Sequence, residues 1–464
     1  MSSADDAPDL PVMGIRVAAD VIIAVPSRID LLTPYVLLEQ ENWFEDEIVF
    51  LAGCIGEGAR VVDIGANYGL YSLILARTAG PTGRVWSVEP ASQTAAYLRK
   101  SIEINEFENV TVIQKALSNK AGTARLSVEA NSELNSIAQG GSAGASEEVP
   151  LDTLDAVAAE HAWTGIDFLK LDAEGEEERI LEGAPAFLRD ANPLVMFEIK
   201  HGDRLHLQLV EKFRAAGFEP YLLVPGLGLL SPFDVSQAVD LFCLNLFACK
   251  PERAALLERQ GVLTRAQATV AKADPFDHFR AAHEKTNAAG LRLAHLRAAY
   301  SGLAQLSTSR PDAWTLSSCA RVARELGLRL RAVELMNEAL TLALQDARGA
   351  PPARHLAPVP AFDAIDPGSR PGEWLKASLL DGLIELSSFS TYYARGTPLQ
   401  QPTLDRLEAL KDSGFMRAPM ERRRQLLRVG CGLQPGPVPD PLLAEDRADN
   451  LNPGLWVPAA GRAK

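Results

Sequence analysis

The chain has 464 residues, of which 47% are hydrophobic and 23% are charged, a composition typical of globular proteins. Because a single hydrophobic core seldom exceeds about 250–300 residues, this length predicts two or three domains. The formal net charge of −14 argues against a surface that binds nucleic-acid phosphates, which needs clustered lysine and arginine. Nucleic acid is therefore not an expected partner.

Five cysteines are scattered along the chain without Cys-x-x-Cys spacing. This usage predicts a reducing compartment and no zinc site. The N-terminal residues are acidic where a secretory signal would be basic, and the longest strongly apolar stretch, around residues 241–249, is too short to span a bilayer. We expect a cytoplasmic protein without a membrane span.

Between about residues 60 and 248, short apolar runs alternate with amphipathic stretches, as they do in βαβ units on a mainly parallel sheet. Seven strands are predicted, at 60–64, 84–89, 109–114, 166–171, 193–199, 218–224 and 239–247. Helices are predicted between them, at 70–79, 91–106, 152–161, 175–190 and 203–216. The fold class is therefore α/β, with a sheet covered by helices on both faces.

The remaining segments differ in character. Residues 1–50 are expected to form an N-terminal helical segment that packs on an α/β domain at 51–250, within which the Gly- and Ser-rich stretch 130–148 is a loop. Residues 251–432 have helical periodicity and predict an all-α domain. Residues 433–464 form a Pro-rich tail that is expected to be partly ordered.

Small residues recur in the predicted helical domain. Gly327, Ala332 and Ala339 have the offsets of small residues in a tetratricopeptide helix pair, where two helices cross closely. Two interpretations stay open: an ordinary antiparallel helix pair, or a short helical-repeat module. In either case the helical domain is a candidate surface for a protein partner.

A ligand-binding junction is predicted at residues 61–72, VVDIGANYGLYS, where an apolar strand passes through a glycine turn into a helix. Gly65 and Gly69 allow a ligand to approach the backbone closely, and Asp63 places a negative charge beside it. That charge would repel the pyrophosphate of a dinucleotide, and the spacing is not Gly-x-Gly-x-x-Gly. The motif therefore favours a positively charged sulfonium nucleoside.

The next strand ends at Glu89, 24 residues beyond Gly65, where a carboxylate can accept hydrogen bonds from ribose hydroxyls. After the third strand, Leu117 and Ser118 stand where an adenine ring would meet apolar side chains and backbone groups. For these two residues a structural role is as well supported as a cofactor contact.

A second group of polar residues follows the fourth strand, in FLKLDAEGEEERILEGA at 168–184. Lys170, Asp172 and Glu174 are placed at the carboxyl end of the sheet, the edge at which open α/β sheets bind ligands. Two acids beside a lysine would perturb one another's protonation, as in a functional site. The glutamates at 176–178 are explained more simply as favourable charges in the first turn of a helix.

The chain resembles the FkbM family of methyltransferases over about residues 30–250. The resemblance rests on ordered motifs, DIGANYGLYS (63–72), VEP (88–90), Asn105 with KALSN (115–119), PLDTLD (150–155), KLDAEGEE (170–177), EGA (182–184) and FEI (197–199). It implies a Rossmann-like class I methyltransferase fold, S-adenosylmethionine as methyl donor, and O-methylation of a hydroxyl on a sugar, glycan or secondary metabolite.

The resemblance also implies roles for individual residues. It makes Asp63, Gly65, Asn67, Gly69 and Glu89 donor contacts. It makes Lys170, Asp172 and Glu174 the active-site block, with Asp172 also near the donor. It does not account for the helical domain or for acceptor preference.

Two questions about the reaction follow from the residues. The general base is expected to be Asp172 or Glu174, with His201, after the fifth strand, as the second choice. No metal is expected; Mg²⁺ held by Asp172, Glu174 and Glu198 is an alternative that the sequence does not favour.

Two other functions compete with methyl transfer. In one, the protein is a non-catalytic scaffold that acts through its helical domain, but the complete motifs at 63–69 and 170–174 argue against this. In the other it is a nicotinamide-dependent oxidoreductase, which Asp63 and the missing third glycine disfavour.

Overall fold

The computed structural model describes residues 12–127, 136–137, 146–201, 204–345 and 352–436. Most of the predicted loop at 130–148 and of the predicted tail at 433–464 lies outside these residues. No helix in the described part of the chain is long and apolar enough to cross a membrane.

Strands and helices alternate in the first half of the described chain, and helices dominate the second half. The strands are β1 (Val12–Val17), β2 (Val21–Pro26), β3 (Arg60–Ile64), β4 (Arg84–Val88), β5 (Val110–Ile113), β6 (Ala116–Ser118), β7 (Gly122–Ser127), β8 (Ser136–Ile137), β9 (Ser146–Thr153), β10 (Phe168–Leu171), β11 (Leu194–Glu198), β12 (Lys200–His201), β13 (Arg204–Leu205), β14 (Glu219–Val224), β15 (Leu229–Pro232) and β16 (Asn245–Cys249). The helices are α1 (Leu32–Gln40), α2 (Asp46–Cys54), α3 (Leu70–Ala79), α4 (Ser92–Ile104), α5 (Leu154–Glu160), α6 (Glu177–Glu182), α7 (Pro185–Asp190), α8 (Gln208–Ala215), α9 (Pro251–Arg259), α10 (Pro275–His283), α11 (Ala289–Ser309), α12 (Ala313–Glu325), α13 (Arg329–Gln345), α14 (Pro371–Leu386), α15 (Gln400–Ser413) and α16 (Ala418–Gly430).

The central sheet has eight strands in the order β15-β14-β16-β11-β10-β3-β4-β5. From β11 to β5 neighbouring strands run parallel, whereas β16 runs antiparallel to both β11 and β14. All residues of β10 and β16 are buried, as expected for strands covered on both faces. The predicted Rossmann-like methyltransferase sheet is confirmed. The seven predicted strands are present, and β15 is an eighth that the sequence analysis missed.

Several boundaries differ from the prediction for local reasons. The strand predicted at 239–247 begins only at Asn245, because Asp240 organises a turn by accepting hydrogen bonds from the backbone N–H groups of Phe242 and Cys243. The helix predicted at 175–190 is divided into α6 and α7. Pro185 begins α7, since its ring disfavours helical geometry at the residue before it.

The N-terminal segment is not wholly helical, which corrects the prediction for residues 1–50. β1 and β2 form an antiparallel hairpin in which Val17 pairs with Val21, and α1 and α2 follow it. The run VIIAVP in β2 is rich in β-branched residues, which favour strands. Asn105 fixes the hairpin, because its side chain accepts a hydrogen bond from the Ile22 N–H at 2.8 Å and donates one to the Ile22 carbonyl at 2.6 Å.

The described chain forms two compact units. The first runs up to Leu222 and includes Leu244–Leu256; the second consists of Leu223–Cys243 and of residues from Leu257 onward. In the second unit, Val224, Leu227 and Leu229 belong to the same hydrophobic core as helices α10 to α16. The sequence analysis predicted a boundary at residue 250, but it did not anticipate that the segment 223–243 belongs with the helices.

The helix pair α12 and α13 contains the small residues singled out in the sequence. Ala332 and Ala339 are fully buried, and Gly327 adopts a φ of +79° in the turn between the helices. These features agree with closely crossing helices. A tetratricopeptide-like repeat stays a prediction.

The turn after β3 lies against the end of β10. Gly65 has a φ of +78°, and a Cβ atom built on it would lie 1.7 Å from the carbonyl oxygen of Asp172. Such an overlap cannot be relieved by rotating a side chain, because the obstacle is backbone. The two neighbouring strand ends are therefore in contact only because residue 65 is glycine.

We expect Gly65→Ala to destabilise the first unit by about 2–5 kcal/mol, the sum of left-handed backbone strain and overpacking. Gly58→Ala is the matched control, because Gly58 has a φ of +79° but its nearest neighbouring atom, Thr82 Oγ1, would lie 3.6 Å from a Cβ. That control should lose only about 1–2 kcal/mol. Urea unfolding of both variants measures the difference, and equal losses would show that the contact with Asp172 is unimportant.

Candidate functional site

Asp63 is the last polar residue of β3 and is fully buried. Its Oδ2 accepts a hydrogen bond from the Ser72 hydroxyl at 2.6 Å, whereas Oδ1 has no hydrogen-bond partner among the described residues. Burial raises the pKa of Asp63, although the ammonium of Lys170 and the Ser72 hydroxyl oppose the rise. One carboxylate oxygen of this residue can thus still take a hydrogen bond or a positive charge.

Glu89 follows β4 and is buried beside the same turn. Its Oε2 accepts a hydrogen bond from the Asn67 N–H and its Oε1 one from the Ala91 N–H, both at 2.9 Å. Burial raises the pKa of Glu89 to about 7, against the effect of these two N–H groups. Because each carboxylate oxygen has a second lone pair, Glu89 can hold the turn and also accept hydrogen bonds from a ligand.

Lys170 joins the ends of two parallel strands. Its buried Nζ lies 2.7 Å from Asp172 Oδ2 and 3.9 Å from Asp63 Oδ1, and it donates a hydrogen bond to the Gly65 carbonyl at 3.4 Å. Burial alone would lower the pKa of Lys170, but the carboxylates of Asp172 and Asp63 hold it above its ordinary value. The side chain is therefore a fixed cation between the glycine turn and the predicted active-site block.

Three carboxylates converge at the carboxyl end of β10 and β11. Oxygens of Asp172, Glu177 and Glu198 all lie within 4.8 Å of one another. Glu174 is not part of this group within the described residues; its backbone has a φ of +51° in the turn that leads to α6. The sequence analysis named Asp172 and Glu174, and it treated Glu177 only as a helix-terminal charge.

Glu177 is held in place by the backbone of this turn. Its Oε1 accepts hydrogen bonds from the Ala173 N–H at 2.7 Å and from the Gly175 N–H at 3.2 Å. Glu178, by contrast, is half-exposed and pairs with Lys212 at 3.0 Å. Both residues lie in the first turn of α6, as the interpretation of the acidic run as helix-terminal charges expects, but Glu177 is also buried.

Glu45, immediately before α2, is a site residue that the sequence analysis missed. Its carboxylate accepts a hydrogen bond from the Tyr71 hydroxyl at 2.5 Å. Burial raises the pKa of the Glu45 carboxyl, and the Tyr71 hydroxyl opposes that rise. Tyr71 also lies under the Lys170 ammonium, 5.3 Å from Nζ to the ring centre. Glu45 itself lies in no recognisable motif, whereas its partner Tyr71 lies within the glycine motif at 61–72.

The structure places the remaining predicted residues less centrally. Ser118 ends β6, in a separate four-stranded sheet with the order β6-β9-β7-β8, and its hydroxyl donates to Glu176 Oε2 at 3.0 Å. Leu117 is buried in the same strand. The backbone of His201 pairs with that of Arg204, and the His201 side chain lies outside what the structure describes.

One comparison with known proteins assigns a class to this region. The family description "Methyltransferase FkbM domain" matches residues 63–220. No curated protein matches the chain significantly. The family match covers the glycine turn, Glu89 and the Lys170–Glu177 block, but neither Glu45 nor Asn245.

Solved structures similar to the chain include methyltransferases of low sequence identity. One is an S-adenosylmethionine-dependent methyltransferase from Aquifex aeolicus, with 14% identity, 48% of this chain and 93% of that chain covered, and a TM-score of 0.27. Another is the Aeropyrum pernix fibrillarin with natively bound S-adenosylmethionine, with 12% identity, coverage of 52% and 94%, and a TM-score of 0.29.

The sequence motifs, the Rossmann-like sheet and the family match all lead to one assignment. The chain carries an S-adenosylmethionine-dependent methyltransferase domain of the FkbM family.

Proposed function

We propose that this protein transfers the methyl group of S-adenosylmethionine to an oxygen of a small or sugar-like acceptor, such as a hydroxyl of a sugar, glycan or secondary metabolite. The observation that carries the proposal is the ion pair of the buried Lys170 with the partly buried Asp172, which lies against the glycine turn at the carboxyl end of the sheet. Open α/β sheets bind ligands at this edge. A carboxylate oriented there by a lysine is suited to receive the proton of a hydroxyl.

The residues of the glycine turn fit the donor. We infer that Asp63, Gly65, Asn67, Gly69 and Glu89 hold it, with Leu117 and Ser118 as more distant candidates. Asp63 Oδ1, which has no hydrogen-bond partner among the described residues, and the two acceptor oxygens of Glu89 suit a ligand that is positively charged and carries ribose hydroxyls. When bound, S-adenosylmethionine supplies an electrophilic methyl group on a cationic sulfur.

Alignment of the acceptor supplies most of the rate enhancement in this proposal. Holding the reacting atoms in line can contribute about 7–11 kcal/mol, and a general base adds about 10²–10⁴-fold. We assign the base to Asp172, because its carboxylate is only partly buried and is oriented by Lys170. Glu174 and His201 are the remaining candidates. The ion pair with Lys170 fixes the direction of the Asp172 carboxylate.

Donor binding should depend on pH through Glu89. Because burial raises its pKa to about 7, the carboxylate is largely protonated at pH 6 and ionised at pH 8. Ribose hydroxyls bind the ionised form better, so we expect S-adenosylhomocysteine affinity to fall about tenfold from pH 8 to pH 6. Calorimetry on the wild type and on Glu89→Gln tests this, with Glu178→Gln as the control.

The Glu89→Gln variant should bind S-adenosylhomocysteine more weakly and without this component of the pH dependence, whereas Glu178→Gln should behave as the wild type does. A wild-type affinity that is the same at both pH values would exclude Glu89 as the titrating contact. The absence of any affinity for S-adenosylmethionine or S-adenosylhomocysteine would overturn the proposed function itself.

Removal of the base should separate catalysis from donor binding. We expect Asp172→Asn to lower methyl transfer by about 10²–10⁴-fold and to leave S-adenosylhomocysteine affinity unchanged. Transfer of labelled methyl from S-adenosylmethionine into an extract of metabolites and glycans measures the activity. Asp190→Asn is the matched control, since Asp190 is exposed and pairs with Arg189. Full activity of Asp172→Asn would show that another residue is the general base.

A further inference from the structure

Tyr71 is the second residue of α3 and is buried beside Lys170, yet the methyl-transfer scheme described above does not use it. The Nζ atom of Lys170 lies 5.3 Å from the centre of its ring. The next residue, Ser72, donates a hydrogen bond to Asp63 at 2.6 Å. The first turn of α3 therefore contacts both members of the buried ion pair that joins β3 to β10.

The position of the Lys170 ammonium depends on its surroundings, because a lysine side chain has a flexible four-carbon stem. Asp172 and the Gly65 carbonyl accept its hydrogen bonds, at 2.7 and 3.4 Å. The Tyr71 ring supplies a further attraction, since the face of an aromatic ring carries partial negative charge. Lys170 is 4% exposed and Tyr71 is 6% exposed, so water competes little with this attraction.

The Tyr71 ring is itself held at its far end. Its hydroxyl donates a hydrogen bond to Glu45 Oε2 at 2.5 Å. The torsion that tilts an aromatic ring is only broadly defined by the side chain alone, so a hydrogen bond at the para position fixes the ring plane. Glu45 immediately precedes α2, and this hydrogen bond therefore connects the start of α2 to the start of α3.

We propose that Glu45 and Tyr71 are positioning residues for methyl transfer. Glu45 fixes the plane of the Tyr71 ring, and the ring restrains the Lys170 ammonium. Lys170 in turn directs the Asp172 carboxylate toward the acceptor hydroxyl. This inference rests on the proposed function. Because Glu45 precedes the family-matched region 63–220, the inference also makes the segment before that region a part of the catalytic unit.

The role of the ring is tested by comparing Tyr71→Leu with Tyr71→Phe, using the acceptor identified by labelled methyl transfer. Leu removes the ring, and kcat should fall about tenfold or more, because a displacement of about 1 Å in an active site can cost about 10²-fold. Phe retains the ring, and its kcat should stay within about threefold of the wild-type value. The acceptor KM should change by less than about threefold in both variants, since neither side chain is assigned to the acceptor.

Rates are expressed per S-adenosylhomocysteine-binding site, measured by calorimetry, so that unfolded protein does not contribute to the loss. Tyr221→Phe is the matched control, because Tyr221 is a buried tyrosine of β14, which β16 and β11 separate from β10. Its kcat should equal that of the wild type. An unchanged kcat in Tyr71→Leu, or equal losses in the Leu and Phe variants, would overturn the role of the ring and with it the proposal.

The hydrogen bond between Glu45 and Tyr71 is tested separately. Glu45→Ala removes the acceptor and should lower kcat by the same factor as Tyr71→Phe, and the double variant should lose no more than either single variant. Glu45→Gln retains an oxygen that accepts the hydrogen bond, so its kcat should stay within about twofold of the wild-type value. The Glu45 charge also acts on Lys170. Equal losses in the Gln and Ala variants would assign the effect to that charge and contradict positioning by the hydrogen bond.

The same double-mutant cycle is measured by urea unfolding, which needs neither donor nor acceptor. If the two side chains interact, the double variant should be about threefold to tenfold more stable, in its folding equilibrium constant, than the product of the two single losses implies. Losses that simply multiply would show that Glu45 and Tyr71 do not interact, and this result would overturn the proposal whether or not methyl transfer is observed.

Failure of the proposed function has a different signature. A wild-type protein that binds neither S-adenosylmethionine nor S-adenosylhomocysteine would overturn the proposed function, and this inference with it. A wild-type protein that binds the donor and transfers methyl, together with a Tyr71→Leu variant of unchanged kcat, would overturn this inference alone.

Discussion

The active site depends on one buried cation held between two strands. The Lys170 ammonium contacts carboxylates from β3 and β10 and also the carbonyl of Gly65, so it connects the turn assigned to the donor with the block assigned to the acceptor. A buried lysine is stable only if carboxylates compensate it, and a buried Asp63 is stable only beside a cation or a hydrogen-bond donor. Lys170 and the two carboxylates therefore stabilise one another, and Lys170 contacts both halves of the site.

The backbone imposes a second constraint at the same point. β3 and β10 are parallel neighbours, with Lys170 in register with Asp63, and the chain leaves both strands at the same edge of the sheet. The Asp172 carbonyl occupies the space in which a side chain at residue 65 would lie. We had interpreted this glycine as an opening for a ligand. Its more direct role is to let two strand ends meet, which then brings Lys170 within reach of Asp63.

The sequence predicted the parts of this protein that depend on local patterns. The strand–turn–helix motif, the strand-end position of Glu89 and the Lys170–Asp172 block were all recognised, because parallel strands bring their carboxyl ends to one edge. Residues that reach the site through tertiary packing were not recognised. Glu45 carries no motif, and it is connected to the site through the hydrogen bond from the Tyr71 hydroxyl. Glu177 does lie in the first turn of α6, where acidic residues are favoured, but its burial beside Asp172 depends on tertiary packing. The N-terminal hairpin was missed because residues 12–26 were grouped with the helices that follow them.

The abundance of acids around one lysine limits how the site can operate. Asp63, Asp172, Glu45 and Glu177 each have a cation or a hydrogen-bond donor, which offsets part of the cost of holding negative charge away from water. A cationic donor would add a further compensating positive charge at this edge of the sheet, whereas an anionic ligand would add to the repulsion between the acids. The same balance of charge that stabilises the ligand-free site therefore favours a positively charged ligand over a pyrophosphate.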